Sequence, residues 1–119
     1  VDIEALRDYC LGLAGSTEGF PFDDRVLVFK VMNKMFALVD IEATESVNLK
    51  CDPDKALELR EQFEGITAGY HMSKKHWNTV KLNGDVPDKK INYLINHSYE
   101  LVVSKLPKRD KEKLKAQAL

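Results

Sequence analysis

Between residues 26 and 51 the chain offers three β-rich runs with only a few polar residues between them: Val26-Leu-Val-Phe-Lys-Val31, Met35-Phe-Ala-Leu-Val-Asp-Ile41 and Ser46-Val-Asn-Leu-Lys-Cys51. Connections this short do not carry a crossover helix, so neighbouring runs pair antiparallel. The third run alternates strictly, Val47, Leu49 and Cys51 pointing one way and Asn48 and Lys50 the other. That is the period of a strand with one buried and one solvated face. A three-stranded meander therefore stands at the centre of any fold this chain adopts, with Met32-Asn33-Lys34 as its first turn.

The flanks supply what such a meander needs to bury itself. Ile3, Leu6, Cys10 and Leu13 recur at helical spacing across residues 2–13, and Ser16 to Asp24 reads as a loop from its Gly, Pro and Asp content. Within it Phe20 and Phe22 pin the loop to the body or stand as an exposed aromatic clamp. Asp52-Pro53 is a helix start, Asp as the cap and Pro where a missing N–H costs nothing. Ala56, Leu59 and Phe63 form that helix's apolar stripe, and Gly65 suits a left-handed residue after it. Thr67 to Met72 reads as a short strand and His76 to Leu82 as a longer one closed by Asn83-Gly84. A last helix starts near Pro87, carries Ile91, Leu94, Ile95, Ser98 and Val102 on one side, and stops at Pro107. The reading is an α+β two-layer sandwich with a five-stranded antiparallel sheet, in the order α-β(3)-α-β(2)-α. One domain spans 1–107, and 108–119 is a charged tail, frayed or weakly helical. No βαβ alternation with glycine-rich turns supports a Rossmann or P-loop fold.

Charge is divided along the chain. Residues 1–73 carry seven basic and fourteen acidic side chains, net −7, whereas 74–119 carry eleven basic and five acidic, net +6. Such segregation produces a local positive field on a molecule of net charge −1. Cys10 and Cys51 lie far apart with no Cys-x-x-Cys spacing, so both read as small buried hydrophobes in a reducing cytoplasm. Apolar runs are too short to cross a bilayer, and the amino-terminal residues read as helix rather than as a secretory leader.

Catalytic and metal patterns find little support. His71, His76 and His97 lack a spacing that completes a ligand set, so no metal and no cofactor is expected. Cys51 is in phase with Val47 and Leu49 and reads as a neutral buried thiol, so no catalytic residue is assigned and the chain is read as a non-enzyme. What stands out is Gly69 to Leu82, which packs two lysines, two histidines, a tyrosine and the single tryptophan into a loop running into a strand. In strand phase Val80 and Leu82 face the core, so Trp77, Thr79 and Lys81 share the outer face. An indole beside cations suits stacking on bases together with phosphate contacts. Equally, it suits a ring covering a sheet edge beneath lysine stems. The candidate nucleic-acid-binding residues are Lys50, Lys74, Lys75, His76, Trp77 and Lys81, with DNA as the first partner and a polypeptide as the alternative.

From about residue 3 to 107 the chain resembles the MmcQ/YjbR family of small bacterial proteins. The resemblance is carried by Tyr9-Cys-Leu-Gly-Leu-Ala-Gly15, Phe20-Pro-Phe22, Val28-Phe-Lys-Val31, Lys34-Met-Phe-Ala-Leu38 and Val47-Asn-Leu-Lys-Cys-Asp-Pro53. It continues through Gly69-Tyr-His-Met-Ser-Lys-Lys-His-Trp-Asn-Thr-Val80, Val86-Pro-Asp88 and His97-Ser-Tyr-Glu-Leu-Val102. Met72-Ser73 stands where the family often has Leu-Asn. The resemblance implies the same α-β(3)-α-β(2)-α order, similar to type III secretion chaperones and the frataxin-like arrangement. It also implies the family's "double wing" DNA-binding label, with no catalytic motif to carry over.

Overall fold

The three central runs do form a meander, in a computed structural model that describes residues 1–43 and 45–118. They are β2 (Val26–Val31), β3 (Lys34–Asp40) and β4 (Ser46–Lys50), preceded by α1 (Ile3–Leu11) and β1 (Ser16–Gly19). After them come α2 (Pro53–Gln62), β5 (Ile66–Ala68), β6 (Trp77–Lys81), α3 (Asp88–Ser104) and α4 (Lys108–Ala118). The strands make one six-stranded sheet in the order β1-β2-β3-β4-β6-β5, with every neighbouring pair antiparallel.

Several features depart from the sequence reading, among them the strand expected over Thr67 to Met72, which is the three-residue β5 because the chain then leaves the edge to fold back over the sheet. The sheet has six strands rather than five, because Ser16 to Gly19 is β1 and not loop; Ser16 pairs with Val31 and Gly19 with Val28. Turn-forming residues yield to the pairing that β2's open edge offers, helped by Arg7 of α1, whose guanidinium donates to both Glu18 carboxylate oxygens. The charged tail is the helix α4, held by Leu114, which is buried in the core and lies against Gly15. Leu119 at its end, like Thr44, lies outside the described residues.

Local chemistry explains the element ends. Asp2 and Asp52 accept from the N–H groups of Ala5 (2.8 Å) and Lys55 (3.2 Å), capping α1 and α2. Met32 and Asn33 both take positive φ, 48° and 66°, as a two-residue hairpin between twisted strands requires. A register shift at Phe29/Lys30 leaves Phe36 as the extra residue of β3. Phe36 is fully buried, edge-on to Tyr99 of α3, while Met35 stays on the opposite face of the sheet. Gly65 is not left-handed: α2 ends at Phe63 in extended backbone. Gly65 is small for another reason, since a Cβ there would lie 2.7 Å from an Asp85 carboxylate oxygen. That carboxylate accepts from the N–H groups of Glu64 and Gly65, both at 2.8 Å.

The helices cover a single face. Leu6 and Cys10 of α1, Ala56 and Leu59 of α2, Ile91, Leu94, Ile95 and Val102 of α3 and Leu114 of α4 pack with the inward strand residues Leu27, Phe29, Val39, Val47, Leu49 and Val80. Each such burial contributes about 1.5–3 kcal/mol for a large aliphatic or aromatic side chain. The other face carries no helix among the described residues, and its buried residues form a separate, smaller cluster.

Candidate binding face of the sheet

The helix-free face is a pleated surface whose side chains line up in register across strands. One row runs through Val28, Leu38, Asn48 and Thr79; next to it Lys30 faces Met35 and Lys50 faces Trp77. Trp77 points to this face because Val80 and the buried Asn78 take the core side. The expected phase is therefore the observed one, but the indole is only 8 % exposed. Val28 and Leu38 beside it, with Met35 and Met72 packed on, seal it into the small cluster. Trp77 is a floor rather than an open stacking platform.

What seals it is the loop between β5 and β6, which folds back over the sheet and is tied down by polar contacts. Thr79 Oγ1 accepts from Tyr70 N–H at 2.9 Å and donates to Asn48 Oδ1 at 2.6 Å, and Asn48 Nδ2 donates to the Tyr70 carbonyl at 3.3 Å. Gly69 N–H donates to the Trp77 carbonyl at 2.9 Å. From the helix side, Arg60 Nε donates to Asn78 Oδ1 at 2.7 Å while Nη2 reaches the Lys74 carbonyl. His71 holds φ at +57°, uncommon for a non-glycine residue, and its ring lies 4.0 Å from that of Tyr70.

Of the hollows that border this face, two bear on binding: one wraps the end of the sheet, drawing on both its sides, and one lies over the strands. The first, about 370 Å³, is lined by Lys34, Lys50 and Lys105 around Met35, Trp77, Val102 and Leu106, where the end of α3 reaches the sheet. No carboxylate lines it among the described residues. Burial holds the Lys50 ammonium below its ordinary pKa, and the charges of Lys105 and Lys34 push the same way. The second, about 440 Å³, lies between the β1–β2 loop and the β5–β6 loop. Phe22 and Tyr70 form its rims, Val26, Leu38 and Met72 its apolar lining, and Asp40, Ser46 and Asn48 its polar end. Asp40 is already answered by Arg25, whose Nε donates to its carboxylate at 2.8 Å. Hydrogen bonding to Arg25 is the main cause of an Asp40 carboxyl held below its ordinary pKa.

Of the six candidate residues, the structure brings together Lys50 and Trp77, direct cross-strand partners that line the first hollow. Lys74 and Lys75 are exposed on the turn before β6 and line neither hollow. His76 is half-buried at the foot of β6, its carbonyl accepting from Cys51 N–H at 2.8 Å. Lys81 is exposed four positions from Trp77, about 13 Å away at a strand rise of about 3.3 Å per residue, in a recess shared with Glu45 and Glu64. The single lysine patch centred on residues 74–81 is thus divided, and the cations that converge on Lys50 are Lys34 and Lys105. Neither carries a local signal: Lys34 opens β3, paired with Val31 beside the hairpin turn, and Lys105 sits just past the end of α3. Burial pushes the Cys51 thiol up to about 11, which keeps it protonated at neutral pH.

The model of the YjbR family matches residues 11–101. The chain is 36 % identical over 116 residues to the uncharacterized protein YjbR of Escherichia coli K12, covering 97 % of this chain and 98 % of that one. The chain belongs to the YjbR family. A second relative, the uncharacterized protein YbdF of Escherichia coli O157:H7, is 37 % identical over 97 residues, covering 81 % of this chain and 80 % of its own. Among solved structures, Deinococcus radiodurans protein DR2400, described as a DUF419 domain, superposes with a TM-score of 0.89 at 42 % identity, covering 96 % of this chain and 88 % of that one. A Pseudomonas syringae protein follows with 0.73 at 30 % identity, over 85 % and 98 %. The family's fold in these relatives is thus the one described above, and no helix here is long and apolar enough to cross a membrane among the described residues.

Proposed function

We propose that this YjbR-family domain is a non-catalytic, cofactor-free nucleic-acid-binding module of the cytoplasm, and that it binds through the helix-free face of its sheet together with the adjoining sheet end, where α3 closes. The observation that carries the reading is the hollow shared by Lys34, Lys50 and Lys105, three cations without a lining carboxylate. Like charges held together in a partly desolvated recess repel one another, and a phosphate offsets that repulsion. Lys30, beside Met35 in the register, extends the positive strip along β2. The role given to Trp77 changes: it supports the floor beneath the lysines, and the exposed rings on the loops between strands include Phe20, Phe22 and Tyr70. Two free, buried thiols suit a reducing compartment.

The test is equilibrium binding of a labelled oligonucleotide across a salt series. Contact with three phosphates predicts a log–log slope of about −2 for a single strand and about −3 for a duplex. Joint substitution of Lys34, Lys50 and Lys105 by alanine should flatten it. Salt-independent binding, or a triple variant that binds as the parent does, would remove the proposal. A polypeptide is the second reading, favoured by the apolar lining of the groove between Phe22 and Tyr70.

A further inference from the structure

We propose that the nucleic acid taken by this face is single-stranded, with an unpaired base stacked in the groove between Phe22 and Tyr70 and the adjoining backbone held at the lysine hollow. The inference rests on the nucleic-acid reading above and specifies its ligand. Phe22 is 64 % and Tyr70 71 % exposed, although both belong to loops anchored on the sheet. They rise from two different connections on opposite sides of one groove. Base faces are available to such rings only where bases are unpaired, because a duplex buries its faces in its own stack and presents edges.

The presentation of Tyr70 is fixed rather than adventitious. Its N–H and carbonyl are both tied to the sheet, through Thr79 and Asn48, and the neighbouring His71 is held in a left-handed conformation against its ring. A ring mounted in this way loses little freedom when a base stacks on it. The groove and the hollow are joined by a continuous apolar floor, since Leu38 and Met72 of the one pack in the same cluster as Trp77 and Met35 of the other. Along β4, Ser46 in the groove and Lys50 in the hollow are four residues apart, a span of about 13 Å. An extended strand of a few nucleotides bridges that distance. Charge is complementary along the path: the hollow is cationic, and Asp40 in the groove is neutralised by Arg25.

The experiment compares labelled oligothymidylate with a duplex of equal length by anisotropy, using the full chain at low salt and both a DNA and an RNA single strand. The expected result is tighter binding of the single strands than of the duplex. Phe22→Ala with Tyr70→Ala should cost about tenfold or more on the single strands and leave duplex binding unchanged. Both residues are exposed, so the variant's unfolding midpoint should match the parent's, which separates loss of stacking from loss of fold. A duplex bound as well as the single strand, or a double variant with unaltered affinity, overturns this inference while the nucleic-acid reading stands. Failure of every oligonucleotide to bind, with an extended valine-rich peptide shifting the Phe22 and Tyr70 resonances instead, overturns both in favour of a polypeptide.

Discussion

At Gly69 the β5–β6 loop passes so close to β6 that a Cβ would lie 2.7 Å from Trp77 Cβ and 3.0 Å from the Trp77 carbonyl oxygen. The second of those atoms is backbone and does not rotate away. Gly69→Ala should therefore lower stability by about 1–3 kcal/mol through forced displacement of the loop, read as a lower urea midpoint. His97 makes a different kind of claim. Its Nε2 accepts the Asp52 N–H at 3.3 Å, which requires the unprotonated ring nitrogen. Burial lowers its pKa from the ordinary 6.5, Lys55 acts in the same direction, and Asp52 and Glu100 oppose. A depressed native value means that the unfolded chain takes up the proton first as pH falls. The stability contribution is thus whole above pH 6.5, declines as pH falls through that value to the lower native one, and is level below it. Urea midpoints for the parent and His97→Gln, compared across this window, should show the decline in the parent alone.

Among the elements, α4 joins the core through few groups. Its sequence, Lys108-Arg-Asp-Lys-Glu-Lys-Leu-Lys-Ala-Gln-Ala118, carries Leu114 as its one large apolar residue. Alternating charges of that kind read as a solvated tail, and what they omit is the distant contact: Leu114 lies against Gly15, which turns with φ +72° to let it in. Leu114→Ala should cost about 2 kcal/mol, the low end for a buried leucine, and release α4. Loss of helical ellipticity with faster cleavage after Pro107 would show it, the rest of the domain staying folded. β1 escaped notice for a related reason. Ser16-Thr-Glu-Gly has turn composition, and only the free edge of β2 makes it a strand. By contrast, the meander, the Asp-Pro start of α2 and the stripe of α3 were legible, because each rests on periodicity or capping within a few residues.

For the whole molecule, the same division between local and distant information runs through the binding face. Strand phase correctly sent Trp77 to the side away from the helices, since Val80 and Leu82 report the core side by alternation. Whether the indole stays open depends on a loop that returns over it, held by Asn48 from another strand and Arg60 from a helix, and alternation is blind to both. Likewise, Lys50 was legible as an outward strand residue, whereas its partners Lys34 and Lys105 come from the first position of another strand and from a helix end, both distant in sequence. The excess of positive charge in the second half of the chain only partly coincides with this cluster: Lys105 belongs to it, while Lys34 and Lys50 come from the acidic half.

The indole beneath these lysines is the only one in the chain, and it borders the cationic hollow while sharing its packing with the residues of the neighbouring groove. Its intrinsic emission is therefore a built-in gauge: whatever settles on this side of the molecule changes the environment of one chromophore, with no dye attached and no second tryptophan to blur the signal.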